Sequence, residues 1–175
     1  MNKGYKLVMH KLLNNQIFNI LIVSLIAFLA NFYFGSIGVF PLDTFAFFDS
    51  AFAINNGSMP FRDYWVMNGP MVDLLQSVFF LVFGVSWKSY LLHSSFINML
   101  FAICSYFFFK NQGLSSTSSL FYSSSIALLA YSSVGSPFPD HHSTIFSILG
   151  IYFLIYSIRD NNNTSWFLIP IFFFI

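Results

Sequence analysis

The sequence predicts an all-α fold, a polytopic bundle of transmembrane helices, and three observations carry the prediction. Only 7 % of the 175 residues are charged and 57 % are hydrophobic, whereas a soluble domain needs roughly a quarter charged to cover its surface. Mean hydropathy is +0.71. Apolar runs recur at about 17–39, 89–109, 117–134 and 143–158, near the ~20 residues that a membrane span requires. Lipid is therefore the main solvent of this chain.

Taken in order, Lys3, Lys6, His10 and Lys11 precede the first apolar run, and no small-x-small cleavage site follows. This is the pattern of an uncleaved first transmembrane helix whose basic end stays in the cytoplasm. Pro41 stops that helix, and Asp43 or Thr44 can cap the next. Phe45, Phe48 and Phe52 then form an aromatic stripe, with Asp43, Phe47, Ser50 and Ile54 on the opposite face, as in a helix lying in the membrane interface. Asn55-Asn56-Gly57 ends it, Gly57 being suited to a left-handed helix stop. "MPFRDYW" is expected to run extended, because Pro60 restrains Met59, and "NGP" turns the chain onward.

The run 71–85 is ambiguous. At ~1.5 Å per residue it covers about 22 Å, short of the ~30 Å hydrocarbon core, so it is a short span or a half-inserted helix on the outer side. It carries Asp73 and Gln76 near its start. If it does not cross, Lys3, Lys6, Lys11, Lys110 and Arg159 are cytoplasmic, with Arg62 and Lys88 outside. The positive-inside rule prefers that arrangement, in which the first loop, 40–70, and the later loop "GSPFPDHHS", 135–143, share the outer face. The Ser-rich stretch "SSTSSLFYSSS" is compatible with a membrane helix, since hydroxyls bond back to the preceding turn. From Trp166 to Ile175 the chain is apolar over half a span, so 1–175 reads as one transmembrane module from the front of a longer protein.

No Lys/Arg cluster points to nucleic acid. The acids are all Asp: 43, 49, 63, 73, 140 and 160. Cys104 has no partner for an internal disulfide and reads as packing. Phosphate loops, zinc-spaced pairs and nucleophile elbows are lacking. Taken singly, Asp43 and Asp140 read as helix caps, Arg62 and Asp63 as an interfacial ion pair, and His93 as interfacial. Asp140, His141 and His142 cannot together grip one ion, because neighbours on a helix point ~100° apart; one of them joined by Asp43 is the better set.

The order of these features, from the basic end through "PLD", "NNGSMPFRDYW" and "NGP" to "PDHHS", resembles the N-terminal module of GT-C superfamily glycosyltransferases. The resemblance is to the family 39-like bacterial membrane enzymes, related to protein O-mannosyltransferases and aminoarabinose transferases. Asp43 matches the family's first-loop acid, although Thr44 stands where many relatives carry a second acid. Gly57, Pro60, Phe61 and Asp63 match its G-x-x-P-[YF]-x-D segment, Gly69-Pro70 its turn, and Asp140 its second acid. The resemblance implies a truncated GT-C-like fold with interfacial helices in an extracytoplasmic first loop, in a bacterial inner membrane. It implies sugar transfer from a polyprenyl-phosphate donor to a glycan, lipid or protein acceptor. Asp43 would take the acceptor's proton, with Asp140 as its catalytic partner. Arg62, or a divalent metal ion held by Asp43 and Asp140, would stabilise the leaving phosphate. Arg62, Asp63, His141 and His142 would line the substrate. The alternatives are a transporter fragment, which would place charge deep within its spans, and a non-catalytic polytopic protein.

Overall fold

The computed structural model describes residues 15–39, 44–66, 68–131, 135–160, 166 and 169–170. Within them run six helices: α1 Gln16–Ile37, α2 Thr44–Asn55, α3 Met71–Phe83, α4 Trp87–Asn111, α5 Ser116–Ala130 and α6 Pro139–Asp160. The Asn15 side chain caps α1, Ser86 caps α4 and Ser115 caps α5, each accepting from a backbone N–H of the first turn. Helices α1, α4 and α6 are long and apolar enough to cross a membrane. The protein is an all-α, multi-pass membrane bundle.

Its helices are patterned for lipid. On α1 the buried residues are Asn19, Val23, Ala27, Asn31 and Gly35, one turn apart, while Ile17, Leu21, Leu25, Leu29 and Tyr33 are exposed. On α5 Ser119, Ser123 and Ala127 turn inward, and Phe121 and Leu129 outward. Hydrocarbon outside the bundle is as apolar as Leu, so no hydrophobic force draws Leu inward. Small residues let backbones approach, and polar ones hydrogen-bond across the seam. Asn19 Nδ2 donates to the Tyr106 hydroxyl (3.2 Å), and Asn98 Nδ2 donates to the Ala27 and Ala127 carbonyls (3.2 and 3.0 Å). Asn31 Nδ2 reaches Ser94 Oγ, Ser95 Oγ and the Gly135 carbonyl at 3.0, 3.1 and 3.1 Å. These pairings run α1 and α5 antiparallel to α4. The pairs His93–His142 and Ser105–Tyr152 run α6 parallel to α4.

Trp87 Nε1 donates to the Gly35 carbonyl at 3.2 Å, so α4 begins where α1 ends. The helices described between them, α2 and α3, have 12 and 13 residues, fewer than the ~20 that a span requires. Instead α2 and α3 pack on each other, Phe48 meeting Phe80 edge-on at 4.7 Å. The inward face of α2 is Thr44, Phe47 and Ala51, with Phe47 against Phe138. Phe45 and Phe52 of the expected stripe are about half exposed, because α3 and α4 cover the neighbouring face instead.

The stretch "MPFRDYW" is not extended. Asp63 Oδ2 accepts from the Met59 N–H at 2.7 Å, and Arg62 N and Asp63 N both donate to the Met59 carbonyl. This curls 59–64 into a tight turn with Phe61 at φ 64°. Pro60 restrains the residue before it, yet the aspartate cap decides the path. Gly135, at φ 66°, crosses the end of α1 so closely that a Cβ there would stand 2.3 Å from Gly35 Cα.

Candidate functional site

The candidate site residues among those described fall in three places. Arg62 and Asp63 form a bidentate pair, Nε to Oδ1 at 2.9 Å and Nη2 to Oδ2 at 2.6 Å, on the surface of their own turn. The Arg62 bonds, then the Met59 N–H, hold the Asp63 carboxyl down at about 2. Both side chains are committed locally.

The second place is a cavity of about 180 Å³, where Asn68, Gly69 and Val72 face Asp140, His142 and Ser143. Here the first loop and the start of α6 meet at the end of the bundle that also holds Gly35 and Trp87. Asp140 is exposed, and its carbonyl accepts from Ser143 Oγ and Thr144 Oγ1 at 3.0 and 2.7 Å. Asp43 lies outside the described residues.

The third place is buried and was hidden in the sequence. His93, expected at the interface, has no exposed surface, and His142 is 1 % exposed. Their Nε2 atoms stand 3.3 Å apart. His93 Nδ1 meets Gln76 Oε1 at 3.0 Å, and Phe79 stacks on the His93 ring. The Gln76 amide and the Nε2–Nε2 contact each join one donor to one acceptor, so the two rings carry complementary tautomers. His142 Nδ1 lies 3.1 Å from the Tyr131 hydroxyl, which can donate or accept, and 3.0 Å from the Phe138 carbonyl, which only accepts. Asp73 is also buried, one turn before Gln76 on α3, and its Oδ1 has no hydrogen-bond partner among the described residues.

His141 separates from its neighbour. It stacks on Tyr131, ring centroids 5.3 Å apart, and lines a different cavity together with Asp140. The structure therefore brings Asp140 to His141 in one cavity and to His142 in another, but places neither Arg62 nor Asp63 on the walls of either. Among the described residues no three His, Cys, Asp or Glu side chains gather to hold a metal ion.

Sequence reasoning missed His93 and Tyr131 as partners of His142, and Gln76 as the partner of His93. The available signal was Asp73 and Gln76 three apart in an apolar run, since polar residues in a membrane helix turn toward the bundle. No protein-family model, curated protein or solved structure matches this chain.

Proposed function

We propose that this chain is the membrane module of a glycosyltransferase that moves a sugar from a polyprenyl-phosphate donor to an acceptor at the extracytoplasmic membrane surface. The observation that supports this reading is the cavity in which the Asn68-Gly69 turn meets Asp140, His142 and Ser143. A donor held in the bilayer and an acceptor arriving from water need polar groups from separate loops at one end of the bundle. In this reading Asp43 takes the acceptor hydroxyl's proton, with Asp140 as its catalytic partner. The N-terminus, Lys110 and Arg159 are then cytoplasmic.

Asp43→Asn in the full-length protein is expected to abolish sugar transfer while membrane insertion is unchanged, and near-normal transfer removes Asp43 as the base. Cysteines placed at 63 and 140 are expected to label from the same side; labelling from opposite sides ends the two-loop site. The buried His93–His142 pair favours one other reading, a transporter fragment, because ionisable groups within a span mark ion or substrate paths. That reading requires no sugar transfer at all, so the transfer assay separates the two.

A further inference from the structure

Helices α5 and α6 do not close on each other along their length. Between them lies a cavity of about 400 Å³, with Phe101 of α4, Ile126 of α5, and Ile145 and Ile148 of α6 on its walls. This size lies within the range of roughly 300–1,000 Å³ typical of small-molecule sites. Asp140 and His141 line one end of the same cavity. Those two residues stand in the first turn of α6 and Ile148 two turns further on, so the lining changes from polar to apolar over about 12 Å of helix.

The polar end is electrostatically incomplete. The single ion pair among the described residues is Arg62–Asp63, so the Asp140 carboxylate has no cation beside it. His141 Nδ1 is buried without a hydrogen-bond partner among the described residues. The neighbouring Thr144 hydroxyl is already committed to the Asp140 carbonyl at 2.7 Å. An ammonium would pair with the Asp140 carboxylate at this end of the cleft.

We propose that this cleft binds one hydrocarbon chain of an amphiphile whose ammonium head pairs with Asp140, an aminophospholipid being the available membrane component of that chemistry. The apolar walls take the tail, and the first turn of α6 selects the head. This site meets the 180 Å³ cavity at Asp140 and stands whether or not the chain transfers sugar.

The test places the purified full chain in nanodiscs of equimolar phosphatidylethanolamine and phosphatidylglycerol and counts retained lipids by native mass spectrometry. The wild type is expected to retain one phosphatidylethanolamine in preference to phosphatidylglycerol. Asp140→Asn should lower that preference about fivefold, as an ion pair near the surface carries. Ala130→Phe, which fills the cleft, should abolish retention of both lipids; if it fails to melt as a folded protein in detergent, Ile148→Phe gives the same readout. Equal retention of the two lipids by the wild type overturns the proposal. So does an unchanged preference in Asp140→Asn, or unchanged retention in the filled cleft.

Discussion

Asn31 is the most connected polar side chain on α1, and its removal tests what holds the bundle together. Its Nδ2 serves Ser94 Oγ, Ser95 Oγ and the Gly135 carbonyl, joining α1 to α4 and to the chain before α6. Interhelical hydrogen bonds in membranes average about 0.6 kcal/mol each, and the two hydrogens of Nδ2 are shared among three acceptors, so together they are worth about 1–2 kcal/mol. Asn31→Ala takes from Ser95 Oγ its one donor among the described residues but does not orphan the other two partners. Ser94 Oγ still donates to Leu91 O and to Gly135 O, at 3.1 and 2.6 Å, and Gly135 O keeps that second donor. The Asn31 Oδ1 atom is buried without a partner among the described residues, so its loss returns part of the cost. The expected destabilisation is about 1–2 kcal/mol, read as the shift in a reversible unfolding titration from dodecyl maltoside into dodecyl sulfate. Leu25→Ala, on a side chain 59 % exposed toward lipid, is the control and should move the transition little. The Ser95→Ala variant and the double variant complete a cycle whose coupling should be positive. If Asn31→Ala unfolds within about 0.5 kcal/mol of the wild type, the small-residue seam alone holds α1 to α4 and the hydrogen-bond account is wrong.

Two further outcomes are expected. Gly135→Ala should destabilise more than Asn31→Ala in the same titration, because its methyl meets the Gly35 backbone, which cannot swing aside, and its φ of 66° disfavours any side chain; equal or greater stability would contradict the close crossing. The turn 59–64 should loosen only in strong acid. Folding lowers the Asp63 pKa to about 2 from an ordinary 3.8, so its contribution is full above about pH 4 and is lost as the pH falls through about 2. Hydrogen exchange at the Met59 amide should quicken across that window in the wild type, whereas Asp63→Asn should exchange fast throughout.

The sequence announced the membrane bundle because lipid demands composition: few charges, and apolar runs of spanning length. The helix faces were harder to read, for the same physical reason. In water the apolar stripe marks the core; in lipid both faces are apolar. The inner face is then marked by small and polar residues, as Asn19, Val23, Ala27, Asn31 and Gly35 mark it on α1. Applied from the start, that rule would have turned Asp73, Gln76 and His93 inward and joined them to "PDHHS". It would not have found the turn at 59–64, whose path depends on the Asp63 carboxylate reaching back to Met59. The same rule bears on the site. A lone histidine near a helix end suits the interface, whereas a histidine whose next-turn neighbours are Ser89 and Asn98 lies on the polar seam of α4, facing other helices. His93 and His142 meet because both sit on such seams, one turn or two into parallel helices that begin at the same end of the bundle. The cavity at that end therefore has His142 on its wall and His93 behind it, two imidazoles joined Nε2 to Nε2, so the proton on one ring fixes the tautomer of the other.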